Sequence, residues 1–114
     1  AWAQDLVRGK TEKEAIRLIV DLVGTGVASQ ESVPAAFAVL EVADGDPWRA
    51  AVISANLGGD TDTIGAIASA GLSRLPQHRI AKLHGIDLAE VRALADDLVA
   101  ARKAKIRSGK EAAA

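Results

Sequence analysis

Apolar residues recur at helical spacing along most of this chain. The first such segment begins at Thr11 and Glu14, which match a T-x-x-E capping box and so satisfy free amide donors at a helix start. Its apolar positions repeat every three or four residues, at Ile16, Ile19, Val20 and Val23. Gly24 and Gly26 interrupt the pattern, which therefore predicts a helix that ends there and buries one face.

Two more helices are predicted at the centre of the chain. The segment 34–43 is apolar on almost every side, which predicts a central helix with Pro34 in its first turn. In the turn that follows, Asp46 is a favourable N-cap residue. The helix after it is expected to extend to about Leu57.

The remainder of the chain predicts three further helices. One runs from about residue 60 to residue 71, and a short one lies between Pro76 and Gly85. Asp87 and Glu90 are expected to cap the last helix. The apolar stripe that should be buried on this helix comprises Leu88, Val91, Ala95 and Leu98.

Composition supports a small all-α fold. The chain has 114 residues, of which 49% are hydrophobic and only 3% aromatic. This balance suits closely packed helices, because strands favour aromatic and β-branched residues. We expect five or six helices in one compact multi-helix domain over residues 1–107, followed by a disordered tail at residues 108–114.

Charge and cysteine content narrow the classes of partner. The net charge of −1 argues against broad nucleic-acid binding, which needs a basic face to neutralise phosphates. The chain has no cysteine and therefore no thiolate metal site. Its longest strongly apolar stretch, residues 64–72, is about half as long as a membrane span. With no signal-peptide pattern at its start, a cytoplasmic protein without a membrane partner is expected.

The run GGDTDT at residues 58–63 is the strongest candidate for chemistry. Asp60, Asp62 and Thr63 place two carboxylates and a hydroxyl within four residues, and such hard oxygen ligands suit Mg²⁺ or Mn²⁺. Gly58 and Gly59 permit the sharp turn that would let the carboxylates converge, and their amides are candidates for contact with a substrate phosphate. Spacing alone leaves a second interpretation open, in which Asp60 caps a helix and Asp62 complements its dipole.

The segment GGDTDTIGAIA resembles the C-terminal signature of the ADP-ribosylglycohydrolase family. Its flanks resemble that family too, and the likeness covers most of residues 10–103. The further matching stretches are ESVPAA at residues 31–36, WRAAVISANL at residues 48–57, LP at residues 75–76 and HGIDL at residues 84–88.

The resemblance implies an all-α metal-dependent hydrolase with two Mg²⁺ or Mn²⁺ ions. It implies that Asp60, Asp62 and Thr63 are metal ligands, with Asp62 touching both ions. Such enzymes cleave the bond between the C1″ carbon of ADP-ribose and an acceptor, on a protein or a small molecule. The metals would orient the distal ribose hydroxyls and offset charge as the bond breaks.

The chain departs from the family pattern in two ways that concern whether the family domain is complete here. The Thr-Asp-Asp type motif that supplies the family's other metal ligands is absent, and no catalytic residue is identified in this chain. The helix after the signature is normally longer than the stretch that joins Ala70 to Pro76 here. We therefore expect only the C-terminal part of the family domain, inactive alone and partnered by an N-terminal part.

Two interpretations in which the chain is not an enzyme stay open. The same fold can persist as a structural or binding protein that has lost catalysis, and GGDTDT can be a turn and cap within a plain helical interaction module. Other residues carry weaker expectations: Trp2 and Trp48 as anchors between helices, Glu31 as a charge at a helix start, and Asn56 as a support for the metal loop.

Overall fold

A computed structural model of the chain describes residues 2–70 and 75–113. These residues form seven α-helices and one π-helical segment, and they include no strand, which confirms the all-α fold class. The helices are α1 (Trp2–Val7), α2 (Glu12–Leu18), α3 (Ser29–Ala43), α4 (Pro47–Leu57), α5 (Thr61–Ala70), α6 (Gln77–Ile80) and α7 (Leu88–Ala113), with the π-helical segment Ile19–Val23 directly after α2. The predicted shortening after Ala70 falls on residues 71–74, outside the described residues.

The chain divides into two compact units, residues 1–80 and residues 81–114. In the first unit, α3 packs against α1, α4, α5 and the π-helical segment, and is therefore its central helix, as predicted. Most of its buried positions are small: Ser32, Ala35, Ala36, Ala38, Val39 and Ala43. Small side chains allow the neighbouring helices to approach α3 closely. Larger residues fill the rest of the core, with Ile19, Ile53 and Ile64 the largest fully buried ones.

Side-chain caps set the beginnings of α2 and α4 where the sequence predicted them. The amide of Glu14 donates to Thr11 Oγ1 at 3.3 Å, and the amide of Thr11 donates to Glu14 Oε2 at 3.1 Å, which completes a capping box. At α4, Asp46 Oδ1 accepts from the amides of Trp48 and Arg49 at 2.9 and 3.1 Å. Each cap satisfies amides that have no partner inside the helix.

The start of α3 differs from the prediction. The helix begins at Ser29, so Pro34 lies inside it rather than in its first turn. The extra turn is held by Ala28, whose carbonyl accepts from the amides of Glu31 and Ser32 at 2.9 and 3.0 Å. Proline favours the first turn because inside a helix it lacks an amide donor and its ring crowds the carbonyl four residues earlier, but its fixed φ is helical, so the preference is not absolute.

The two tryptophans differ in exposure and in contacts. Trp2 is 59% exposed, so its predicted anchoring role is wrong. Trp48 is 36% exposed, and the guanidinium of Arg79 lies 4.8 Å from the centre of its ring. The cation is attracted to the electron-rich face of the indole, which ties α6 to α4.

The second unit contains α7. Asp87 Oδ1 accepts from the amides of Ala89 and Glu90 at 2.9 and 3.3 Å, which confirms the predicted cap by Asp87. The predicted buried stripe is wrong, because no residue of α7 is buried and Leu98 is 72% exposed. Helical periodicity shows which side of a helix is apolar but not whether another element covers it. The helix includes residues 108–113, and the disordered tail expected at residues 108–114 stays a prediction.

Candidate metal centre

The candidate site begins at the turn between α4 and α5. Gly58 ends α4 with φ of +78°, and Gly59 follows with φ of +71°, a region that residues with a side chain rarely adopt. A Cβ on Gly59 would also overlap the carbonyl oxygen of Thr25. The sharp turn that the sequence predicted at these glycines is present. Both are exposed, and their contact with a substrate stays a prediction.

Asp60 occupies the position immediately before α5. Its amide donates to the carbonyl of Thr25 at 2.7 Å, and its own carbonyl accepts from the amide of Ile64 at 3.1 Å, the first bond of the helix. At the side chain of Asp60, Oδ1 accepts a hydrogen bond from the hydroxyl of Thr63 at 3.0 Å. The residue is therefore held by the backbone on both sides, while its carboxylate lies beside the Thr63 hydroxyl.

Asp62 lies in the first turn of α5 and is exposed. The pKa of its carboxyl is lowered, first because the side chain of Asp60 hydrogen-bonds to it, and then because the amides of Thr63 and of Asp62 itself donate to it. The carboxyl groups of Asp60 and Asp62 thus adjoin each other. At neutral pH, two adjoining carboxylates repel, and a cation between them would relieve that repulsion.

The three predicted ligands are thus brought together at one helix start. The carboxylates of Asp60 and Asp62 and the hydroxyl of Thr63 are all hard oxygen donors, the set that Mg²⁺ and Mn²⁺ prefer. This donor chemistry fits the metals that the sequence predicted. Among residues 2–70 and 75–113, however, no group of three or more His, Cys, Asp or Glu side chains is placed to hold an ion. Metal ligation by Asp60, Asp62 and Thr63 stays a prediction.

The structure adds one participant that the sequence reading missed. Thr25 lies in the loop between the π-helical segment and α3, and its carbonyl is the acceptor for the Asp60 amide. The local signal is the pair Gly24 and Gly26 around it, which by itself predicts only the end of a helix. Since the two contacting loops are 35 residues apart, no spacing rule could have paired them.

Asn56 does not have the contact that its predicted role requires. Its side-chain amide donates to the carbonyl of Val52 at 2.7 Å, within its own helix. It also borders a groove with residues of α2, among them Ile16 and Arg17. Among the described residues, no hydrogen bond joins Asn56 to Asp60 or Asp62, so a role in supporting the metal loop has no structural basis.

Comparison with known proteins shows the family of the chain. A family profile described as ADP-ribosylglycohydrolase matches residues 1–107. The chain belongs to the ADP-ribosylglycohydrolase family. The resemblance predicted from the GGDTDT run and its flanks is thereby confirmed, and the family is one of ADP-ribosylglycohydrolase-type hydrolases.

One curated relative matches about half of this chain. The uncharacterized protein YegU of Escherichia coli (strain K12) is 53% identical to it over 58 residues. The match covers 51% of this chain and 17% of YegU, so the chain spans well under two thirds of that relative's length. No solved structure matches the chain significantly. No helix within the described residues is both long and apolar enough to cross a bilayer.

Proposed function

We propose that this chain supplies part of a dinuclear metal site in a hydrolase that removes ADP-ribose from a modified acceptor. The bond cleaved is the glycosidic bond at C1″ of the distal ribose. The observation that carries the proposal is the convergence of Asp60, Asp62 and Thr63 at the start of α5, in a chain of this family. The substrate class is an ADP-ribosylated protein or small molecule, and the expected compartment is the cytoplasm.

The residues of this chain would hold Mg²⁺ or Mn²⁺ through oxygen donors. Asp62 is exposed, and its pKa lies below the ordinary value of 3.8, so its carboxylate is ionised at neutral pH and can bind a cation without first losing a proton. The hydrogen bond from Thr63 to Asp60 restricts the rotation of that second carboxylate. When bound, the metals would supply charge stabilisation as the glycosidic bond breaks. The exposed turn at Gly58 and Gly59 leaves room for a substrate phosphate beside them.

The site in this chain is incomplete for two ions. Three donors on one helix start fall short of about six oxygens per hard cation. The remaining ligands and the group that activates water would come from the N-terminal part of the family domain. That part, joined covalently or as a separate chain, is the partner that the proposal requires.

A binding or structural protein of the same fold is the second candidate. One observation favours it. Among the described residues, the site brings together only two carboxylates, and no group of three or more His, Cys, Asp or Glu side chains is placed to hold an ion. Metal titration separates the two candidates, since a purely structural member has no need to bind Mn²⁺ at Asp60 and Asp62. A plain helical interaction module would fail the same titration.

The decisive experiment replaces Asp62 in a longer protein that contains this chain. Release of ADP-ribose from arginine- and serine-linked acceptors is assayed with Mg²⁺ and with Mn²⁺. Asp62→Ala should reduce turnover to background while the melting temperature stays near the wild-type value, because the carboxylate is exposed and bears on ligation rather than on packing. The control is Asp96→Ala, which removes an exposed carboxylate from α7. Turnover by Asp62→Ala within a few-fold of wild type would refute the assignment.

A further inference from the structure

The loop at residues 24–26 lies between α3 and the metal-site turn. On one side it contacts Glu31, in the first turn of α3, and on the other it contacts Gly59 and Asp60. This loop is therefore the link between the α3 start and the backbone that presents Asp60.

Glu31 is fitted closely against the loop. Its Oε2 accepts from the amide of Gly26 at 2.7 Å, and the contact is partly buried. A Cβ on Gly24 would lie 2.7 Å from the Glu31 carboxyl carbon, and one on Gly26 would lie 2.6 Å from Oε2. Both distances are too short for a real side chain, so the two glycines provide the space that the carboxylate occupies.

The loop in turn holds the turn at Gly59 and Asp60. The carbonyl of Thr25, between the two glycines, accepts from the Asp60 amide at 2.7 Å. The same carbonyl lies where a Cβ of Gly59 would be. Two short hydrogen bonds, from the Gly26 amide to Glu31 and from the Asp60 amide to Thr25, therefore act on adjoining residues of a single loop.

A helix-start role alone does not account for the position of Glu31. In a capping box, the third residue of a helix bonds back to the amide of the N-cap residue. The N-cap of α3 is Ala28, yet the Glu31 carboxylate reaches past it to Gly26. Glu14, at the same position of α2, makes the ordinary bond to its own N-cap, Thr11. The two glutamates thus share a helix position and differ in what they hold.

We infer that Glu31 is a positioning residue, which fixes the backbone of Asp60 through the loop at residues 24–26. Its link to metal binding rests on the proposed function. A ligand whose backbone is fixed loses less freedom when it binds an ion, so removal of Glu31 should weaken metal binding without touching the metal. Groups that orient a metal ligand typically contribute about 10–100-fold to metal affinity.

The test uses a longer protein containing this chain and two measurements on each variant. The first is hydrogen exchange of the Asp60 amide without metal, and the second is the dissociation constant for Mn²⁺. Glu31→Ala should speed the exchange and raise the dissociation constant about tenfold or more. Glu31→Gln keeps an oxygen acceptor of the same size and should restore most of both. Glu14→Ala, the matched control, should lower the melting temperature and leave both measurements unchanged.

Each outcome decides the inference. If Glu31→Ala leaves Asp60 exchange and Mn²⁺ affinity at their wild-type values, Glu31 has no positioning role. If Glu31→Ala does not fold, Gly26→Ala displaces the same carboxylate and should give the same two changes, and its failure to do so overturns the inference. If the wild-type protein binds no Mn²⁺, the proposed function fails, while Asp60 exchange still decides whether Glu31 fixes that residue.

Discussion

At the scale of single residues, Gly59 has the strictest requirement in the candidate metal centre. Its φ of +71° is unfavourable for any residue with a side chain, and the Thr25 carbonyl occupies the space a Cβ would need. Gly9 has nearly the same φ, +72°, but no atom lies within 4 Å of its Cβ position. Comparing alanine substitutions at these two glycines therefore separates the free-energy cost of the backbone conformation from that of the close contact.

We predict that Gly59→Ala destabilises the protein more than Gly9→Ala. Placing alanine in a left-handed conformation costs about 1–2 kcal/mol, which is the whole effect expected at Gly9. At Gly59, the overlap with Thr25 should add at least about 1 kcal/mol, since the loop must move. Urea denaturation measures both free energies of unfolding. Equal losses at the two glycines would show that the loops are not in contact in solution.

At the scale of elements, charged caps make helix starts depend on pH. The pKa of Glu14 is lowered from its ordinary value of 4.5, first by the backbone hydrogen bond from Thr11 and then by the hydrogen bond with its side chain. A carboxyl whose pKa is lower in the folded state than in the unfolded state stabilises the fold at any pH above its unfolded pKa. This contribution is lost as the pH falls through the folded pKa. The capping box of α2 should therefore weaken only in acid.

We predict that the stability difference between wild type and Glu14→Gln is constant above about pH 5.5 and shrinks below pH 4.5. Glutamine can still accept from the Thr11 amide but carries no charge, so it isolates the contribution of ionisation. Thermal denaturation of both proteins between pH 3 and pH 7 measures the difference. A difference that grows toward low pH would have the wrong sign and would contradict the cause assigned to the lowered pKa.

The contact between α4 and α5 depends on small side chains. Ser54 is 1% exposed, and its hydroxyl has no hydrogen-bond partner among the described residues. A Cβ on Gly65 of α5 would lie 3.4 Å from the Ser54 Cβ, so the two helices are already close. A larger residue at either position would separate α5, and with it the candidate metal site, from α4.

We predict opposite effects for two substitutions of Ser54. Ser54→Ala should leave the free energy of unfolding unchanged or raise it slightly, because it removes a buried hydroxyl without a partner. Ser54→Leu should lower it by about 1–3 kcal/mol, because the extra carbons have no space against α5. Denaturation of both variants tests this. A clear loss of stability in Ser54→Ala would reveal a hydrogen-bond partner for this hydroxyl.

At the scale of the whole molecule, the first unit exposes large apolar side chains together. Trp2 of α1 is 59% exposed, and Phe37 of the central helix α3 is 47% exposed. These two residues line one groove with Val33 and Pro34. Apolar surface of this kind agrees with the proposal that an N-terminal part of the family domain is needed for solubility.

We predict that the 114-residue chain by itself does not release ADP-ribose. Its three candidate donors cannot fill the coordination of two hard cations, and water in the remaining positions would leave affinity low. The purified chain is assayed on several modified acceptors with Mg²⁺ and with Mn²⁺, beside a longer protein that contains it. Metal-dependent turnover by a monodisperse monomer of the short chain would show that the catalytic groups lie within these residues.

Local interactions explain why much of this structure was predictable. The caps at Thr11, Asp46 and Asp87 each join residues two or three positions apart, so spacing alone identifies them. The same holds for the bond from Thr63 to Asp60, which gathers the candidate ligands within one turn. The all-α class and the bounds of α4 and α5 follow from such short-range contacts and from helical periodicity.

Contacts between distant segments were decided only by the tertiary structure. Thr25 meets Asp60 across 35 positions of sequence, and Glu31 acquires a candidate role only because that loop lies beside it. The sequence also did not reveal that Trp2 and α7 are exposed, because an apolar stripe does not show whether another element covers it. Sequence determined which residues could meet within a helix turn, whereas packing of loops and helices determined which distant ones do.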